Sequence, residues 1–170
     1  MMEKNMEAKQ EKSIYVNWGG GKVKLTWKKD IPILPSQIVT SVHAICVKDG
    51  LVMLALIEGR GFNILGGHIE KGEKIEQALL REIYEEGYVK GNLTYIGCIE
   101  VNHEENLLFD PNGKYPLIGY QAFYRCDITH IYPFERQYES RTRIWVEASE
   151  ITYVIHDHEL IKFIFEDALN

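Results

Sequence analysis

The chain has no excess of basic charge. Its 170 residues carry 19 Lys and Arg against 25 Asp and Glu, a formal net charge of −6. A general nucleic-acid binder usually presents a basic face, so that class of function is disfavoured. A small phosphorylated partner is not, because a bound cation inverts the local charge of an acidic site. No apolar run approaches the roughly 18 residues needed to span a bilayer. The opening residues, MMEKNMEAKQEK, also lack the apolar core of a secretory signal. We therefore expect no membrane partner and a cytoplasmic location. Cysteine is scarce: Cys46, Cys98 and Cys126 are widely separated, and no CxxC pair exists. Each lies in an apolar, strand-like run, so they read as small buried hydrophobes in a reducing compartment, not as a disulfide framework or a zinc site. Internal repeats and low-complexity segments are absent.

Hydrophobic content of 45% and charged content of 26% are ordinary for a globular protein, and 170 residues suit one domain with a full core. We expect a flexible extension over residues 1–12 and a single domain over 13–170. Residues 13–18 and 22–27 read as strands around Gly19-Gly20-Gly21, a hairpin signal. The Gly-Gly-Gly-Lys string lacks Walker spacing, so a turn is the better reading than a phosphate loop. Residues 38–47 and 51–57 are apolar strands joined at Asp49-Gly50. Further strands are expected over 93–101, 115–128 and 143–146, with helices over 74–86 and 156–169. Two long loops, 102–116 and 129–141, separate them. Strands before and after a central helix, with a closing helix, imply an α/β fold with a mixed sheet between helices.

The most informative stretch is residues 66–89, GGHIEKGEKIEQALLREIYEEGYV. On a helical wheel of about 100° per residue, Ile75, Ala78 and Leu79 define an inward stripe. Glu82 and Glu86 fall on that stripe, and Glu85 and Arg81 border it. Inward carboxylates are costly unless compensated. A hard divalent cation such as Mg²⁺, which takes carboxylates together with substrate phosphates, is the natural compensation. Arg81 stands four residues before Glu85, at a spacing that allows pairing. The competing reading is a solvated acidic helix end whose core stripe has shifted toward Leu80 and Ile83. The Gly66-Gly67 pair favours the site, since glycine backbone approaches ligands closely.

The same stretch resembles the Nudix box. Gly67, Glu73, Arg81, Glu82, Ile83, Glu85, Glu86 and Val89 stand at that family's spacings. Tyr88 stands where the family has glycine, and Gly87 comes one place early. The run-up Gly61-Phe62-Asn63-Ile64-Leu65-Gly66-Gly67 is similar too, with Phe62 for Trp and Leu65 for Pro. The resemblance implies a Nudix-type α/β/α sandwich with a mixed central sheet. It also implies hydrolysis of a nucleoside diphosphate linked to another group, by water attack on phosphorus, with Mg²⁺ or Mn²⁺. Gly66, Glu82, Glu85 and Glu86 are then the metal residues, and Glu73 and Gly67 support them. Arg81 orients the carboxylates, and the general base is Glu82 or Glu139, with Glu104 and Glu105 as rivals. Arg60, Phe109 and Tyr132 are the expected substrate contacts; Tyr115 and Phe134 are further stacking candidates. His43 reads as a satisfied core histidine. A homodimer stays open.

The early glycine predicts that the helix stops one residue short, capped at Gly87. The alternative is a strained Tyr88. The displaced glycine, with Lys74 at the helix start and Leu65 in the run-up, motivates the alternative of a noncatalytic module of the same fold, sensing a nucleotide or pairing with a protein.

Overall fold

Two glycine turns set the first half of the sheet. The computed structural model describes residues 11–170. The expected extension thus lies outside the described residues except for Glu11 and Lys12, and Lys12 already belongs to the first strand. Strands β1 (Lys12–Trp18) and β2 (Gly21–Lys29) form the expected hairpin. Strands β3 (Val39–Lys48) and β4 (Leu51–Ile57) turn at Asp49 and Gly50, with φ of 51° and 77°. A two-residue hairpin needs that positive pair.

Short strands β5 (Gly61–Asn63) and β6 (Leu65–His68) follow, then α1 (Ile75–Gly87), β7 (Val89–Asn102) and β8 (Ile118–Ile131). The chain closes with β9 (Ser140–Val146), a 3₁₀ turn, α2 (Ile151–Val154) and α3 (Leu160–Leu169). The sheet runs β1-β2-β7-β8-β3-β4-β5, with β6 on β3 and β9 on β4. It is mixed, because β3 and β8 are parallel whereas the other pairs are antiparallel. The last helix begins at Leu160 rather than 156. A β8 shifted three residues onward and a longer β9 also trim the second expected loop to residues 132–139.

Each sheet face has its own core. Ala78, Leu79 and Ile83 of α1 pack on Val42, Ala44 and Cys46. Ile161, Ile164 and Phe165 of α3 pack with Ile45 and Val47 on the other. Alternate β3 side chains thus serve alternate layers, which makes the α/β/α sandwich. Cys46 and Cys126, distant in sequence, are register partners across β3 and β8, and both are buried and free. Among the described residues no helix is long and apolar enough to cross a membrane.

β3 changes partner along its length. Residues 41–44 pair with β6, and residues 46–48 pair with β4. This fork presents the Gly66-Gly67 backbone to the end of α1.

The helix does not stop short. Gly87 remains in α1, and Tyr88 takes the left-handed cap at φ 52°, ψ 44°. Packing explains the reversal. A Cβ on Gly87 would lie 2.6 Å from both Leu65 Cδ1 and Met53 Cε, so the glycine is required for space. Left-handed Tyr88 costs about 1–2 kcal/mol, but its ring is buried, and burial of a large apolar side chain contributes about 1.5–3 kcal/mol. Helix propensity alone would make Gly87→Ala stabilising by up to about 1 kcal/mol. We expect the opposite sign, a loss of about 1–3 kcal/mol from overpacking, read as a lower urea midpoint.

Candidate active site

Helix α1 starts without a Ser or Thr cap. Instead Gln77 Oε1 accepts the Lys74 N–H at 3.0 Å, closing the first turn. The buried stripe then reads Ala78, Leu79, Ile83, Glu86 and Gly87. Leu80 is exposed, so the shifted-stripe alternative fails and the acids do face inward.

Glu86 is 4% exposed. Its Oε2 accepts the Gly66 N–H at 2.9 Å, and its Oε1 accepts Arg60 Nη2 at 3.2 Å. Burial pushes its pKa up to about 7; the nearby charges of Glu82 and Glu139 add to this, and Gly66 and Arg60 oppose it. Burial also raises Glu82, with Arg81 opposing and Glu85 and Glu139 adding.

Arg81 organises the other acids. Its Nε and Nη2 reach the two Glu73 oxygens at 2.7 and 3.0 Å. Its Nη1 reaches Glu82 at 3.0 Å and Glu85 at 3.3 Å, and Nη2 also bonds the His68 carbonyl at 3.2 Å. The Arg81 bonds, helped by the Glu70 amide, hold Glu73 down to about 2.

The glycine pair is dictated by space. Gly66 has φ 152°, and a Cβ there would collide with the Val42 carbonyl and lie 2.7 Å from His43 Nδ1. A Cβ on Gly67 would collide with the Glu82 carboxylate. Backbone and carboxylates are therefore in direct apposition.

These groups line a cleft of about 1240 Å³. Of the expected residues, Arg60, Gly66, Gly67, Arg81, Glu82, Glu85, Glu86 and Glu139 line it. Glu73 does not, and neither do Phe109 and Tyr132. Phe109 stacks near His103 at 5.4 Å, and Tyr132 packs edge-on to Tyr84 at 5.5 Å. Phe134 packs on Tyr88, so of the stacking candidates only Tyr115 faces the cleft. The rival acids are engaged elsewhere: Glu105 bonds Tyr15 and Lys22, and Glu104 bonds Asn102.

Sequence reasoning missed Trp18, Ser41, His43, Glu58 and Gln121, which also line the cleft. A signal existed for two of them. Ser41 and His43 precede Ile45 and Val47 on one β3 face, a polar start to an otherwise apolar row. His43 Nε2 lies 3.0 Å from Ser41 Oγ, and the ring stacks on Phe123 at 5.0 Å. Burial, aided by Arg60, lowers its pKa to about 4, so it is neutral at pH 7.

The Glu86 shift has a stability consequence. Its folded pKa of about 7 exceeds the ordinary 4.5, so the folded state holds the proton more tightly than the unfolded chain. That contribution is full below pH 4.5 and is lost as pH rises through 7, by up to about 3 kcal/mol. Thermal unfolding between pH 5 and 8 in chelator should show wild type losing stability relative to Glu86→Gln. A constant difference across that window would refute the assignment.

Fold and acid cluster together define an α/β domain with an acidic cleft at the end of one helix. The chain belongs to the NUDIX family, whose domain model matches residues 39–165. Among curated proteins none matches it. Solved structures do. A mutant of the Bacillus subtilis pyrophosphohydrolase BsRppH superposes with TM-score 0.58 at 20% identity, covering 78% of this chain and 77% of that one. The NUDIX domain of Shewanella oneidensis NrtR, complexed with ADP ribose, gives 0.56 at 16% identity, covering 81% and 91%. The Bacillus halodurans MutT protein gives 0.55 at 20% identity, covering 76% and 81%. The β1–β2 hairpin precedes the matched region and brings Trp18 to the cleft.

Proposed function

We propose that this chain, as one domain over residues 13–170, hydrolyses the diphosphate bond of a nucleoside diphosphate linked to another group, using Mg²⁺ or Mn²⁺. One observation carries the reading: Glu82, Glu85, Glu86 and Glu139, with Glu58 and Glu70, line one cleft beside the Gly66-Gly67 backbone. Among the described residues only Arg60 and Arg81 line it as Arg or Lys. The donors are all oxygen, as a hard cation requires. Glu82 and Glu86 are raised by burial and by neighbouring acids, the mark of a site short of positive charge. Among the described residues no three acidic, His or Cys side chains are arranged to hold a metal ion, so the cation reading rests on the shared cleft and on the chemistry of its donors.

Gly66, Glu82, Glu85 and Glu86 would hold the cation. When bound, it neutralises phosphoryl oxygens and acidifies a water. The chain's own groups do the rest. Glu139 accepts the proton of the attacking water, with Glu82 as the second base candidate. Arg81 fixes Glu82 and Glu85. Arg60, half-exposed, leaves Glu86 to meet a phosphate oxygen. Trp18 and Tyr115 line the same cleft and offer faces to a nucleobase.

The noncatalytic alternative drew on the displaced glycine and on Lys74 and Leu65; α1 runs to Gly87, which removes the first of these grounds. The test is a panel of nucleotide diphosphates, dinucleoside polyphosphates and nucleotide sugars, with phosphate detection, with and without added phosphatase. Metal-dependent release from one class supports the reading. Tight ligand binding in chelator with no turnover on any class sinks it.

A further inference from the structure

Tyr88 stands where the Nudix box places glycine, and it does more than end the helix. Its ring is 1% exposed. Its hydroxyl accepts the Gln137 N–H at 2.8 Å. Phe134 packs on the ring at 4.9 Å, and Tyr138 lies at 6.1 Å. The Tyr88 carbonyl accepts the Tyr132 N–H at 2.8 Å. Arg143 closes the bracket, bonding the Gly87, Tyr88 and Tyr132 carbonyls at 2.8, 3.2 and 2.9 Å.

Four residues of loop 132–139, Tyr132, Phe134, Gln137 and Tyr138, therefore meet this one residue. The loop starts on the Tyr88 backbone, wraps its ring and bonds its hydroxyl. Immediately past that hydroxyl bond come Gln137, Tyr138 and Glu139, all lining the cleft. The loop's far end is fixed just past β4, where the Glu58 N–H bonds the Glu139 carbonyl at 3.3 Å. Tyr88 lies two residues past Glu86, so the end of the acidic helix and the loop carrying Glu139 share this contact. A glycine there would serve the left-handed turn without strain and would supply no ring and no hydroxyl.

We propose that Tyr88 is a positioning residue: through its hydroxyl and ring it sets loop 132–139 so that Glu139 faces the carboxylates of α1. The catalytic side of this inference rests on the hydrolase reading above; the tether itself does not.

Tyr88→Phe tests both. It keeps the ring and the turn and leaves the Gln137 N–H without its acceptor. Amide hydrogen exchange reads the tether without turnover. Exchange across residues 132–139 should rise about ten-fold, the effect of one lost, partly buried hydrogen bond. Unchanged exchange in a folded variant overturns the tether. Kinetics read the coupling: kcat should fall more than KM rises, and Glu139→Gln should cost less in the Tyr88→Phe background than in wild type. Equal costs in both backgrounds overturn the positioning of Glu139, even where exchange has risen. Absence of turnover by wild type on every substrate overturns the catalytic half and the reading beneath it, while exchange still decides the tether. Tyr88→Gly serves as the second variant; it should loosen the loop at least as much as Tyr88→Phe, and a loop as protected as wild type would refute the anchor.

Discussion

Glu82→Gln should lower kcat by about 10³-fold with little change in stability. The expectation follows from where this carboxylate stands. Its side chain is 13% exposed and lies directly against the Gly67 backbone. Glu82 is also one helical turn from Glu86, so under the proposed function the two would grip a cation from one side. The amide keeps the shape and removes the charge. A cation bound there contributes several kcal/mol of transition-state stabilisation, and losing it removes orders of magnitude in rate. Stability should hold or rise slightly, because burial already disfavours the charged form of Glu82 and the Arg81 bond can persist to the amide oxygen. Steady-state kinetics on the best substrate from the panel, together with urea unfolding, checks both halves. Turnover within ten-fold of wild type would place the chemistry elsewhere in the cleft. Calorimetry with Mn²⁺ separates the causes: weaker metal binding makes Glu82 a ligand, whereas unchanged binding with lost turnover makes it the base.

The acids were legible because the helical period alone put Glu82 and Glu86 on the core stripe, and the exposure of Leu80 against the burial of Glu86 agrees with it. The hairpins at Gly19-Gly20 and Asp49-Gly50 were legible because glycine and aspartate turns are local. What failed was tertiary. Gly87 carried the local signal of a helix cap, but Leu65 and Met53 approach it from β6 and β4, and no local rule sees them. Short β5 and β6 read as loop because their residues gain strand structure only from pairing with β4 and β3. Phe109 and Tyr132 had the right chemistry for a base platform. Their partners, His103 and Tyr84, turn them away from it. Trp18 was passed over because a hairpin tip far from the acidic helix gives no hint that β2 pairs with β7 and carries the tip to the cleft.

Arg81→Lys carries the second large effect, and its size follows from donor geometry. Three nitrogens of one planar group reach Glu73, Glu82, Glu85 and the His68 carbonyl at once. A lysine keeps the charge but offers three donors from one atom, so it cannot hold Glu73 by both oxygens and also reach Glu82. Choosing between partners leaves at least one partly buried carboxylate without its bond. Each such loss costs about 1–3 kcal/mol, and the urea midpoint should fall accordingly. The loop from His68 to Glu73 is tied to α1 through this same group, so Gly67 and Glu82 lose their fixed apposition. Partners that orient metal-binding carboxylates typically contribute 10–100-fold in affinity or rate. We therefore expect Mn²⁺ affinity and kcat to fall together by about that factor, while Lys at position 81 still folds. Full metal affinity with reduced kcat would move Arg81 from holding carboxylates to contacting the phosphate. An unchanged protein on both measures would mean that charge alone, not the fork, secures Glu82 and Glu85.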